Sequence, residues 1–317
     1  MRDPVKSELA SKIERLQKNV ERVFYGKPEA VKSLLVALFS NGHVLIEDVP
    51  GVGKTLLAKA LTRSLDCSFR RIQFTADMLP SDVTGVSIYD PQARQFVFKP
   101  GPIFANVVLA DEINRASPRT QGSLLEAMNE FQVSVDGVSH RLPRPFIVLA
   151  TQNPFEFEGT YPLLESELDR FFLRLGIGYP PRDDERRILK DYVTMRSVEA
   201  LEPAMTAQEV LDLQAAAAGV QVEDSVADYI LTLVDHTRQA TGVDVGISPR
   251  GSLALYRGAQ ARAMIEGRDY VLPDDVKQMC QPIFLHRLVC RGGQDRGTNG
   301  QAARALDEVL RTVPVPV

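Results

Sequence analysis

The sequence predicts an α/β fold: a parallel five-stranded sheet between helices, interrupted by inserted β-hairpins and followed by a C-terminal all-α domain. Three observations carry this prediction. Short apolar runs (His43 to Glu47, Phe69 to Phe74, Val107 to Ala110, Phe146 to Thr151, Phe171 to Ile177) are separated mostly by helical stretches, as for strands buried on both faces. Two β-rich segments, Val86 to Phe98 and Phe131 to Phe146, centre on the turn signals Asp90-Pro91-Gln92 and Asp136-Gly137. Beyond Tyr179-Pro180-Pro181 the chain reads as helices, so residues 1–180 and 181–317 are expected to form two domains.

Val5 to Val23 places Leu9, Ile13, Leu16, Val20 and Val23 at helical spacing and predicts an amphipathic helix. Tyr25-Gly26-Lys27-Pro28 breaks it, and Pro28 opens a second helix through Phe39, which Asn41-Gly42 ends. Lys54 to Leu65 and Thr120 to Glu130 are the clearest helices between strands. In the second half, helices are expected over Asp183 to Met195, Thr206 to Ala217, Val222 to Ala240, Pro249 to Glu266 and Pro273 to Leu288. The Gly-rich stretch Arg291 to Gly300 predicts a mobile tail.

The totals exclude several classes. The chain has 317 residues, 44% hydrophobic and 25% charged, an ordinary balance for a globular protein with a large core. With 37 basic and 41 acidic residues the formal charge is −4, which gives no global attraction to phosphate backbones. Three cysteines without a CxxC pair argue against a disulfide framework and for a reducing compartment. Met1 to Ser11 lacks an apolar leader core, and no stretch reaches the ~18 apolar residues of a membrane span. The expectation is a cytoplasmic protein. His43, His140, His236 and His286 are scattered and show no metal-ligand spacing.

The chemistry concentrates at strand ends. His43 to Glu47 runs into Asp48-Val49-Pro50-Gly51-Val52-Gly53-Lys54-Thr55-Leu56, the strand–glycine loop–helix context of a phosphate-binding P-loop. Gly51 and Gly53 allow successive amides to face an anion, and the helix start adds its positive dipole end. Lys54 would reach the β- and γ-phosphates, and the Thr55 hydroxyl would ligate Mg²⁺. Asp48 stands where the strict pattern has its first glycine, a change the loop should survive. Val107 to Glu112 is an apolar strand ending in two carboxylates: Asp111 to hold Mg²⁺ through water, and Glu112 to polarise the attacking water. Phe146 to Asn153 ends similarly, and Asn153 is a candidate γ-phosphate contact.

Taken in order, Glu47 to Thr55, Ala110 to Ala116, Ala150 to Pro154, Glu167 to Phe171 and Ser248-Pro249-Arg250 resemble the MoxR family of AAA+ ATPases, over about Val23 to Leu288. The resemblance implies an AAA+ nucleotide-binding core over 1–180 and a helical lid over 181–317. It makes the two loops Walker A and Walker B, Asn153 sensor 1, Arg170 an arginine finger reaching a neighbour's γ-phosphate, and Arg250 sensor 2. The hairpins Val86 to Phe98 and Phe131 to Phe146 correspond to the helix-2 insert and the pre-sensor-1 hairpin. By residue type alone, Arg170 serves equally as a surface ion-pair partner of Asp169 or Glu167. Arg115 and Arg119 are expected at an interface or in solvent. Val23 to Gly26, with Tyr25 and Gly26, is a candidate adenine contact or else a helix stop with core side chains.

The resemblance implies an ATP hydrolase with ATP and Mg²⁺ as ligands, assembled as a homo-oligomeric, hexameric ring. Its output would be chaperone-like remodelling or maturation of a partner protein, such as one with a von Willebrand factor A domain. The competing readings are a nucleic-acid motor using Arg94, Lys99, Arg141, Arg144, Tyr89, Phe96 and Phe98 on the hairpins, a metal-chelatase ATPase subunit, and a nucleotide-gated binder with little turnover. The acidic balance disfavours nucleic acid, and the set Glu112, Asn153 and Arg170 disfavours a mere binder.

Overall fold

In the computed structural model, residues 4–153, 159–194, 198–291 and 300–316 are described. Helices α1 (Pro4–Glu21) and α2 (Pro28–Phe39) lead into β1 (Val44–Glu47), α3 (Lys54–Ser64) and β2 (Phe69–Gln73). A short helix α4 (Pro80–Thr84) precedes a hairpin of β3 (Gly85–Asp90) and β4 (Gln95–Pro100). The chain then forms β5 (Val107–Asp111), α5 (Pro118–Glu130) and a second hairpin of β6 (Gln132–Val135) and β7 (Val138–Arg141). It closes the sheet with β8 (Ile147–Gln152), α6 (Glu165–Leu168) and β9 (Leu173–Leu175). Helices α7 (Arg182–Thr194), α8 (Ala207–Ala218) and α9 (Asp224–Gln239) follow, then β10 (Val243–Val245), α10 (Pro249–Ile265), α11 (Pro273–Phe284), β11 (Val289–Cys290) and α12 (Gln301–Thr312).

The five-stranded sheet has the order β2-β5-β8-β1-β9, and every pairing is parallel. Its central strands are buried on both faces because alternate side chains enter opposite cores. Val44, Ile46, Val107, Leu109, Ile147 and Leu149 join the core containing α1 to α3, while Leu45, Val108, Ala110, Val148 and Ala150 join the core beneath α5. Both edges are blunted: β2 carries exposed Arg70 and Arg71, and β9 is three residues long. The connections of β1 and β8 leave in opposite directions, to β2 and to β9, which opens a crevice at their adjacent carboxyl ends.

Both hairpins form where the turn residues placed them. In the second, Asp136 (φ 51°) and Gly137 (φ 78°) adopt the paired left-handed turn that favours Asp-Gly. The Phe98 ring stacks on His140 at 3.9 Å, joining one hairpin to the other, and the Arg144 guanidinium lies 3.7 Å over Phe131. Phe98 and Arg144 thus make contacts within the protein, where the competing nucleic-acid reading had them on bases and phosphates. Tyr89 and Phe96 remain exposed.

The helices after Tyr179 pack against the α1–α3 face: α10 touches α2, α8, α9 and α11, and its residues share one core with β1 and α3. The region is mainly helical, as expected, with one addition, the antiparallel β10–β11 pair. Helix α12 is a second addition; of the expected mobile tail, Arg291 to Gly300, residues 292–299 lie outside the described residues, as does Met195, the expected end of the first helix of this region. No described helix is long and apolar enough to cross a membrane.

Candidate active site

The phosphate loop leaves β1 at Asp48. Gly51 (φ 85°) and Gly53 (φ 94°) hold left-handed backbone that a Cβ would strain, and Gly53 is the N-cap of α3. A Cβ on Gly51 would meet no atom within 4 Å, so the space beside the loop at this position is open. The Lys54 ammonium arches back over the loop, donating to the Asp48 carbonyl at 2.6 Å and lying 3.5 Å from the Gln152 carbonyl. Burial pulls the Lys54 pKa below the usual lysine value, against the raising pull of Asp48, Asp111, Glu112 and Glu47.

Asp48 has a purpose the sequence did not disclose. Its Oδ2 accepts the backbone N–H groups of Ile177 and Gly178, each at 2.6 Å, and its Oδ1 accepts Val49 N–H at 2.8 Å. The carboxylate thereby ties the loop to the chain leaving β9, satisfying amides that a glycine would leave to water. Glu47 reinforces the same corner: Arg174 donates to Oε2 at 2.8 Å, and the Gln152 amide donates to Oε1.

Opposite the loop, the carboxyl end of β5 presents Asp111 and Glu112. The Thr151 hydroxyl donates to Asp111 Oδ1 at 2.6 Å and accepts Glu112 N–H at 2.9 Å, fixing both acidic residues from β8. Asp111 Oδ2 accepts from Arg71 Nε (3.0 Å) and Nη2 (2.6 Å). Glu112 sits in left-handed backbone (φ 57°), and its Oε2 accepts from Gln73 Nε2 and Arg115 Nε, each at 2.9 Å. Arg115, expected at an interface or in solvent, is half-exposed yet paired with Glu112. Asn153 follows β8 directly and is half-buried beside the Gln152 carbonyl.

A cavity of about 720 Å³ adjoins the loop, lined by Gly51, Val52, Gly53, Thr55 and Leu56 on one side and by Phe24, Tyr25, Ile177, Tyr179, Ile188 and Leu189 on the other. Its size and mixed lining suit a nucleotide. Tyr25 lines it and lies 4.4 Å under the Arg187 guanidinium, whereas Gly26 packs toward Pro181 and Asp184 and neither it nor Pro50 lines the cavity. The wall from Ile177 to Leu189 escaped the sequence reading, because apolar residues at a strand exit and on a charged helix carry no local signal of a ligand. The donor set fits Mg²⁺: the Thr55 hydroxyl and the Asp111 carboxylate are hard oxygens, and Mg²⁺ keeps waters and takes phosphate oxygens for the rest.

Arg170 and Arg250 both lie outside the lining of that cavity. Arg170 lines a separate hollow of about 570 Å³ with Arg119, Glu126, Glu130 and Glu167. Among the described residues neither proposed ion-pair partner takes it: Glu167 Oε2 accepts Leu164 N–H at 2.8 Å, and Asp169 Oδ1 accepts from Arg287 Nε at 2.9 Å. Arg250 lies 4.0 Å from Asp169 Oδ2, is half-exposed, and does not line the nucleotide cavity.

A P-loop and an acidic strand end on this sheet order, with helices folded back over one face, define an AAA-type nucleotide-binding module. Residues 43–173 match the family model described as ATPase family associated with various cellular activities (AAA), and residues 235–308 match the AAA lid domain. The chain is 47% identical to the uncharacterised protein YeaC of Bacillus subtilis, over 94% of this chain and 93% of that protein. It is 40% identical to the chaperone MoxR1 of Mycobacterium tuberculosis, over 89% of this chain and 77% of that protein. The crystal structure of a candidate ATPase from Cytophaga hutchinsonii superposes with a TM-score of 0.90 at 34% identity, over 98% of this chain and 97% of that one. The chain belongs to the MoxR family of AAA+ ATPases.

Proposed function

We propose that the chain binds and hydrolyses Mg-ATP in a hexameric ring, and that hydrolysis drives chaperone-like remodelling or maturation of a partner protein. One observation carries the hydrolytic reading: Asp111 and Glu112, both fixed by the Thr151 hydroxyl, face the charge field of Lys54 beside an open glycine loop. In this reading the amides of Gly51 to Thr55 and the Lys54 ammonium hold the phosphates, and Thr55 and Asp111 hold the metal. Bound Mg²⁺ would neutralise charge developing on the phosphate oxygens. Glu112 takes the proton of the attacking water, a role for which it must exchange its contacts with Gln73 and Arg115 for the water. Asn153 orients that water or contacts the γ-phosphate. Tyr25 and the Ile177–Leu189 wall enclose the base.

Arg170 acts in trans on the neighbouring protomer, a role supported by its absence from the lining of its own nucleotide cavity and by its position on a separate hollow. Arg250 acts as sensor 2 on a lid spanning residues 181–317, over a core spanning 1–180. The protein-remodelling output is supported by the likeness to a protein named a chaperone, and a partner with a von Willebrand factor A domain is the client that the family resemblance suggests.

The test is ATP hydrolysis per protomer across a range of protein concentrations, with Glu112→Gln as control. Specific activity that rises with concentration, and a control that binds ATP but turns it over at least about a hundredfold more slowly, is the expected result. Wild-type turnover in the Glu112→Gln variant would remove Glu112 from the chemistry, and ATP binding without any wild-type hydrolysis would leave a nucleotide-gated binder. For the output, Glu112→Gln rings loaded with ATP should retain a client protein that wild-type rings release on hydrolysis.

A further inference from the structure

The turn that carries Arg170 is held by a residue no motif pointed to. Arg287, two residues past the α11–Leu285 cap, is buried, yet its guanidinium is fully engaged. Nε donates to Asp169 Oδ1 at 2.9 Å; Nη2 donates to the Phe171 carbonyl at 2.5 Å and lies 3.4 Å from the Asp169 carbonyl; Nη1 donates to the Phe172 carbonyl at 3.1 Å and also to that of Ile283. The preceding residue, His286, adds Nε2 to the same Phe171 carbonyl at 3.2 Å. On the other side of Asp169, the Ser248 hydroxyl donates to both carboxylate oxygens at 3.1–3.2 Å while capping α10 through Gly251 N–H. Space for this arrangement comes from Gly251, where a Cβ would sit 3.1 Å from Arg287 Cδ.

The consequence is geometric. The backbone carbonyls on both sides of Arg170, at Asp169 and Phe171, meet the same guanidinium, so the direction in which Arg170 leaves the chain is set from the lid. Burial pulls the Arg287 pKa down to about 10 against the raising influence of Asp169, so the group stays charged at neutral pH. A buried ion pair is a poor way to gain stability, since apolar residues of like volume often do as well. A rigid five-donor fork is, by contrast, an effective way to fix a turn.

We propose that Arg287 is a positioning residue for the Arg170 finger, so that the lid of one protomer, which also carries Arg250, sets the finger offered to the next protomer's ATP. The inference rests on the trans role of Arg170 under the proposed function.

Mixed rings test it. Protomers with Glu112→Gln have a dead site and an intact finger; protomers with Arg170→Ala have an intact site and no finger. Co-assembling these two should restore hydrolysis above either alone, because the first kind lends its finger to the second. Arg287→Lys keeps the charge but cannot span the five acceptors. Its turnover should fall ~10- to 100-fold, the scale of a misplaced catalytic group. Its binding of a fluorescent ATP analogue should stay within about twofold of wild type, and mixing it with Glu112→Gln protomers should restore turnover. If the Arg170→Ala mixture is rescued and the Arg287→Lys mixture is not, or if Arg287→Lys hydrolyses ATP normally, Arg287 does not act through the finger and the inference falls while the ring reading stands. If neither mixture is rescued, the trans reading itself falls and the inference with it. Should Arg287→Lys fail to fold, Asp169→Leu removes the acceptor of Arg287 Nε from the core side and is held to the same outcomes.

Discussion

Asp48 illustrates how a residue that departs from a motif can strengthen it. A strict P-loop begins with glycine, and read locally the aspartate is only a tolerated substitution. In the fold its carboxylate receives three backbone amides, two of them 129 and 130 residues away on the strand-exit wall of the nucleotide cavity. Restoring the motif with Asp48→Gly should therefore harm the protein. The loss of charge-assisted bonds to Ile177 and Gly178 should lower stability by about 2 kcal/mol and weaken ATP binding roughly tenfold. Thermal melting and nucleotide titration check both numbers; unchanged affinity would mean that loop and wall are positioned independently. The same distance in sequence hid Arg287. Arginine near a helix end signals nothing by itself, and all but one of its acceptors lie 115 to 118 residues upstream. Lys54, Thr55, Asp111 and Glu112 were legible because their neighbours in sequence are also their neighbours in space.

At the level of elements, what was readable depended on how much of each element's stability is local. The buried parallel strands announce themselves as continuous apolar runs, and Asp136-Gly137 dictates its turn whatever surrounds it. The β10–β11 pair has no such signal: strands of three and two residues exist only because the ends of α9 and α11 bring them side by side. Helix α12 was lost behind the glycine-rich segment that precedes it. His43, at the entry to β1, joins three elements at once. Its Nε2–H donates to the Met128 carbonyl near the end of α5 at 2.9 Å, and its Nδ1 accepts Val148 N–H of β8 at 3.0 Å. Burial first, and the nearby Arg144 charge as a smaller effect, push its pKa from 6.5 down to about 4. The unfolded chain thus binds a proton that the folded one refuses, so stability is full above about pH 6.5 and falls as pH drops toward about 4, by on the order of 3 kcal/mol in total. Melting temperatures measured from pH 7.5 to 4.5 should decline, and His43→Asn should flatten the part of the decline that belongs to this residue.

Across the whole molecule, lid and core are two regions of one hydrophobic body. The core on the α1–α3 face of the sheet runs without a break through α8 to α12. Phe172 stands at the junction: a Cβ on Gly42 would fall 2.4 Å from its side chain, and one on Gly258 of α10 would lie 3.5 Å from its ring. Phe172→Ala should cost about 3–5 kcal/mol. Because the cavity opens between lid and sheet, it should also broaden or split the denaturation transition as the lid loosens first. Denaturant titration followed by two probes, one in each region, decides this; coincident transitions would show that the joint is redundant.

The stacked rings of Phe98 and His140 have a mechanical consequence. They rivet two hairpins that the chain builds separately, one after α4 and one after α5. The β3–β4 blade, tipped by exposed Tyr89 and Phe96, is thus braced against the β6–β7 blade at the root of α5, the helix that follows the Asp111–Glu112 strand end. A pull on the tip is therefore shared between two hairpins, which lead back by separate connections to β5 and to β8.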